Sequence, residues 1–152
     1  MADDQSVESN SSSNDKDYEI RFEPATERVR VEFNGTWVAD SSTALIVYET
    51  RVPPMYYFPV DDVIMDYLEK TDHQTHCPFK GNASYWTLTV GEETAENAIW
   101  GYEDPYSDGE QLRGYVSFYQ NKVSAIYEGD EEVAFLDNQQ KSGFLGVSRS
   151  GQ

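Results

Sequence analysis

The chain's 152 residues suit one domain, since domains cluster at roughly 100–150 residues, and its 28 acidic against 11 basic residues leave a formal charge of −17. That charge opposes phosphate and excludes a passive role on DNA, RNA or an anionic membrane. A hydrophobic share of 38% with 14% aromatic residues excludes full disorder, and the lone Cys77 excludes both an internal disulfide and a four-cysteine zinc site.

No apolar run approaches the roughly 20 residues of a membrane helix. Met1 to Asn14 lacks a positive stretch followed by an apolar one, so the segment does not read as a secretory signal and the expected location is cytoplasmic. An acidic, lysine-poor surface fits a cytoplasm of high salt, the halophilic reading. An ordinary acidic protein is the other reading, and a stability curve against KCl separates the two.

Residues 1–17 are Ser, Asn and Asp with almost no large apolar side chain. They cannot bury enough surface to offset ordering entropy, which predicts a disordered acidic tail. Residues 136–152 read as a flexible C-terminal tail in which Phe144 and Leu145 can dock only weakly. A single domain is therefore expected over 18–135, with no internal repeat and no linker.

Val29, Val31 and Phe33 alternate with Arg30 and Glu32, the pattern of a half-buried strand. Asn34-Gly35 follows, a hairpin turn whose two central positions need positive φ, and Thr36-Trp37-Val38 returns. Ala44 to Tyr48 predicts a third, more buried strand. Pro53-Pro54 is expected to break it and to set up an extended Met55 to Phe58, stopped by Pro59. Asp61 or Asp62 then caps a short helical turn holding Val63, Met65 and Leu68. Thr71 to Asn82 reads as a loop, with Pro78 and Gly81 as its breakers.

Ser84 to Val90 is a predicted strand, with Ser84, Trp86, Leu88 and Val90 on one face and Tyr85, Thr87 and Thr89 on the other. Gly91-Glu92 turns the chain, and Thr94 to Tyr102 returns antiparallel. Leu112, Tyr115, Val116 and Tyr119 have helical spacing and predict a short helix. Val123 to Tyr127 is the last strand, and Glu128 to Glu132 an acidic, solvated edge. Many short strands with frequent turns make the fold mainly β, with one or two short helices.

Four segments together carry a family resemblance. They are Tyr56-Tyr57-Phe58-Pro59, then Thr71 to Gly81 followed by Ser84-Tyr85-Trp86, then Glu96 to Pro105, then Gly114 to Tyr119. In combination they resemble the hallmark of the domain of unknown function 427 family over about Arg28 to Glu132. The resemblance implies a compact β-tent: two antiparallel sheets, as in the cereblon ligand-binding domain and methionine sulfoxide reductase B. Several β-tent proteins hold a zinc with two Cys-x-x-Cys pairs. One cysteine cannot supply that site, so no structural zinc is expected. The family also carries a nucleotidyltransferase-type label. The signature of such enzymes is a Gly-Ser pair followed by Asp-x-Asp, and no Gly-Ser pair occurs here.

Chemistry-bearing residues concentrate around His73-x-x-His76-Cys77 and Lys80-Gly81. His73, His76 and Cys77 are metal-ligand types, but four donors in six residues, Asp72 included, are crowded for one tetrahedral ion, and no metal is assigned. As catalytic candidates His76 is a general acid or base, Cys77 a nucleophile and Lys80 an anion clamp. The plain alternatives are backbone-bonded His76, buried Cys77 and a surface lysine paired to an acid. Tyr57, Ser84, Trp86, Trp100 and Tyr102 are the ligand-binding candidates, as the polar and aromatic walls of a pocket beside Lys80. Those rings are equally suited to filling a core.

The sequence therefore predicts a domain that binds a small molecule, anionic or nucleotide-like if Lys80 is its anchor. The alternative is an enzyme of transferase or hydrolase type using His76, Cys77 and Lys80. Expected partners are a small molecule and no nucleic acid or membrane, with the chain a monomer or weak dimer and no cofactor.

Overall fold

A computed structural model describes residues 18–134; the tail assignments for 1–17 and 136–152, with Phe144 and Leu145, lie outside the described residues. Within them the chain forms eleven strands: β1 Ile20–Pro24, β2 Val29–Phe33, β3 Thr36–Ser41, β4 Leu45–Glu49, β5 Val52–Pro59, β6 Leu68–Cys77, β7 Gly81–Val90, β8 Glu93–Gly101, β9 Tyr115–Phe118, β10 Ala125–Glu128 and β11 Glu131–Glu132. They build a seven-stranded sheet ordered β1-β4-β5-β9-β8-β7-β6 and a four-stranded sheet ordered β11-β10-β2-β3. Every pairing is antiparallel. The mainly β, two-sheet architecture expected from the sequence is the one observed.

The Asn34-Gly35 turn forms as read, with φ of 50° and 75° at its two central residues. Alternation along β2 sends Val29, Val31 and Phe33 inward. They meet Phe58, Trp86, Leu88, Ile99, Val116 and Phe118 of the larger sheet in one core. The larger sheet buries its other face as well. Val47, Tyr57, Ala83, Tyr85, Trp100 and Tyr102 form a second cluster there, closed by Leu112. Burial on both faces explains why β7 is buried at nearly every position rather than at alternate ones.

Several elements depart from the sequence reading. Thr71 to Cys77 is no loop: it belongs to β6, the edge strand paired with β7. An edge strand with one neighbour stays largely exposed, so Leu68–Cys77 carries few apolar residues and shows no alternation. The predicted helix at Leu112 to Tyr119 is a 3₁₀ segment, Ser107–Leu112, followed by β9. Tyr115 and Val116 sit on opposite faces of a doubly buried strand, which imitates helical spacing.

The helical turn near Asp61 is two 3₁₀ turns, Val60–Asp62 and Met65–Tyr67, without side-chain caps. Asp62 instead accepts the Ser41 hydroxyl at 2.6 Å. The described residues hold 3₁₀ turns where short helices were expected. Pro53-Pro54 lies inside β5 rather than breaking it. Along β5, β9 pairs only with Tyr57, Phe58 and Pro59, and β4 pairs with Val52 and with Met55 to Tyr57 but with neither Pro53 nor Pro54. These prolines therefore face no ladder partner that needs their missing N–H. β1 and β11 have no counterpart in the sequence reading. No helix among the described residues is long and apolar enough to cross a membrane.

Candidate functional site

The predicted site residues separate into three groups because strand neighbours point to opposite faces. Trp86 pairs with Ile99, and both belong to the core between the sheets. Trp100 pairs with Tyr85, and both belong to the second cluster. The two tryptophans therefore lie on opposite faces and do not converge on one pocket.

The first group is the second aromatic cluster. The Trp100 indole donates Nε1–H to the Tyr57 hydroxyl at 3.0 Å, with the rings edge to face at 6.1 Å. Tyr119 covers Trp100 at 4.4 Å between centroids. Burial pushes the Tyr57 phenol well above its ordinary range, with the nearby Glu49 charge acting in the same direction. Tyr57 and Trp100 thus satisfy each other within a packed layer.

The second group is the β6–β7 turn. The turn buries Lys80, whose Nζ donates to Glu49 Oε1 at 2.5 Å. Side-chain exposure is 7% for the lysine and 13% for the glutamate. The Tyr18 hydroxyl donates to the other carboxylate oxygen at 2.7 Å, and its ring stacks on Phe79 at 4.0 Å. The expected anion clamp is therefore a neutralised ion pair. His76 is exposed, with Nδ1 2.7 Å from Asn82 Oδ1 and its ring edge-on to Tyr106. Cys77, the next residue on β6, packs on the opposite side against the second cluster. His73 shares that side, tilted over Tyr85 at 4.5 Å. His73 and His76 are thus on different faces, and the described residues contain no group of three or more His, Cys, Asp or Glu fit to hold a metal.

The third group forms a cleft of about 470 Å³ where the end of β8 and the start of β9 lie beside Trp86 in the middle of β7. Trp86 and Tyr102 line it together with Val60, Met65, Tyr115 and Val116, whereas Tyr57, Ser84, Trp100 and Lys80, expected around the same pocket, do not. Its charged wall residues are Asp61, Glu103 and Arg113. Ser84 is one step behind, donating to Glu103 Oε1 at 3.0 Å. The same oxygen accepts Lys70 Nζ at 2.6 Å. The Lys70 hydrogen bond holds the Glu103 carboxyl below the usual carboxylate range against a partial desolvation. Arg113 grips Glu110 with two bonds, Nε to Oε2 at 2.7 Å and Nη2 to Oε1 at 3.0 Å.

Gly101 makes the cleft floor possible. A Cβ there would lie 2.8 Å from the Tyr115 carbonyl oxygen and 3.1 Å from Val116 Cγ1. Sequence reasoning missed Asp61, Met65, Arg113 and Tyr115. Asp61 read as a cap and Tyr115 as helical, so neither suggested a wall. Only Tyr115 had a signal in the quoted segments: Gly101-Tyr102-Glu103 and Gly114-Tyr115-Val116 each supply consecutive lining residues, while Asp61, Met65 and Arg113 lie outside them.

A second hollow, of about 560 Å³, is walled by Glu27, Glu128, Asp130, Glu131 and Glu132. It is larger but acidic, and Tyr56 there already donates to Glu128 at 2.7 Å. Its lining offers little apolar surface to a small molecule.

No curated protein matches the sequence. The family model described as Domain of unknown function (DUF427) matches residues 21–129, which include every residue of the cleft wall. Most of the chain lies within that match, and the chain belongs to the DUF427 family.

Proposed function

We propose that this domain binds a small molecule in the cleft walled by Trp86, Tyr102, Tyr115 and Met65. The observation that carries the proposal is the wall itself. A volume of about 470 Å³ falls within the roughly 300–1,000 Å³ of ligand pockets. Its lining is mostly apolar and aromatic, with a few polar groups that can orient a guest. Tyr57 and Trp100, expected in the same wall, support it from the opposite face of the sheet.

Thermal shift and tryptophan fluorescence against a mixed metabolite and nucleotide library test the proposal. Compounds that bind are expected to raise the melting temperature and change Trp86 emission. Trp86→Leu abolishes both responses, and Trp100→Phe keeps them. Silence from every compound in the wild-type protein rejects the proposal.

The second reading is an enzyme using His76, with Cys77 and Lys80 as helpers. One observation favours it: with Nδ1–H donated to Asn82, the exposed His76 ring keeps Nε2 as an acceptor. Against it, Cys77 packs on the other side of β6, and Lys80 is bound to Glu49. A turnover assay that survives His76→Ala removes this reading.

A further inference from the structure

We infer that the ligand of the cleft is an organic cation, a flat or apolar body bearing an amine or quaternary ammonium group. The inference rests on the reading of the cleft as a ligand site and adds the chemical class.

The charges on the wall decide the class. Arg113 is matched by Glu110 through two short bonds, and its remaining contacts are the Glu103 carbonyl at 3.4 Å and Asp104 Oδ1 at 3.5 Å. Its charge is therefore compensated within the protein. Glu103 Oε1 is occupied by Lys70 and Ser84. The Asp61 carboxylate differs from both: it lines the cleft with no hydrogen bond or ion pair among the described residues. The uncommitted charge of the wall is negative.

The aromatic lining points the same way. Trp86, Tyr102 and Tyr115 all line the cleft. Tyr102 already has the Lys80 ammonium 5.7 Å from its ring centre, while Trp86 and Tyr115 have no cation against their rings among the described residues. A carboxylate beside such rings adds direct Coulomb attraction for a cation. The formal charge of −17 raises the local concentration of cations around the whole molecule. An anion entering the same space meets Asp61 and finds no free positive partner on the wall. Lys80, the anchor that suggested an anionic ligand, is neutralised by Glu49 and does not line the cleft.

Three probes that share a phenyl ring separate the classes: benzyltrimethylammonium, benzyl alcohol and benzoate. Each is titrated into the full chain at low salt, read by calorimetry and tryptophan fluorescence. The expected result is binding of the cation alone, weakened roughly fivefold to tenfold by Asp61→Asn and by a similar factor in Tyr115→Leu. Glu92→Gln, an acid removed at the β7–β8 turn, leaves affinity unchanged. Asp61 is exposed, so its isosteric amide retains the wild-type melting temperature. Preference for benzoate, or equal binding of all three with Asp61→Asn indifferent, overturns the cation assignment and leaves the cleft as a ligand site. Silence from all three probes and from the wider library overturns both.

Discussion

Lys80 is the residue whose meaning changes most between sequence and fold. A lysine in a very acidic chain reads as an anchor for an anion. In the fold its charge is buried beside Glu49, with the Tyr18 hydroxyl completing the carboxylate's partners. Its Nζ also lies 5.7 Å from the centre of the Tyr102 ring. A pair this deeply buried stabilises weakly as a pair but is costly to break, because the survivor is left charged and dry. Lys80→Met is therefore expected to cost about 3–5 kcal/mol in urea unfolding. Adding Glu49→Gln removes the stranded charge while keeping an acceptor for Tyr18, and is expected to restore most of the loss. A Lys80→Met protein as stable as wild type contradicts this account and returns Lys80 to the pool of free cations.

At the scale of elements, β8 and β9 meet at Gly101, whose missing side chain lets the Tyr115 carbonyl and Val116 approach. Gly101→Ala forces that contact apart and is expected to destabilise the domain by about 1–3 kcal/mol, the usual range for overpacking. The same shift narrows the cleft. Unfolding curves read the first effect, and loss of probe-induced Trp86 quenching reads the second; an alanine variant unchanged in both contradicts the close approach. The strands around this junction were unevenly legible in the sequence. β2, β3 and β7 announced themselves by alternation or by the Asn34-Gly35 turn. β6 did not, because an exposed edge strand needs no apolar face. β9 imitated a helix because both of its faces are buried. The candidate site suffered from the same cause. The sequence supplied Trp86 and Tyr102, but strand order decides which rings meet, and the pairing of β8 with β9 is a long-range fact. Tyr115 could join the wall only once that pairing was known.

Across the whole molecule, one titration gathers the buried and half-buried phenols and the excess charge into a single transition. Desolvation by burial is the largest cause raising the phenols of Tyr18, Tyr56, Tyr57, Tyr102 and Tyr119 above their ordinary range. Carboxylate neighbours add to it at Tyr18, through Glu49, and at Tyr56, through Glu128. A raised pKa means that the folded state keeps a proton which the unfolded state releases. Stability from these groups is thus complete below the ordinary phenol value of 10.0 and is lost as pH rises beyond it. Each phenolate formed also adds to a chain already at −17, so self-repulsion grows in the same direction. The expected result is a cooperative alkaline unfolding in which tyrosinate absorbance and loss of sheet signal coincide. Tyr57→Phe and Tyr102→Phe each reduce the absorbance step by one phenol's share. Added KCl screens the repulsion and moves the midpoint to higher pH. Gradual ionisation of Tyr57 and Tyr102 in a protein that keeps its sheet signal would contradict their burial. A midpoint indifferent to KCl would instead assign the transition to desolvation alone, with the surface charge playing no part.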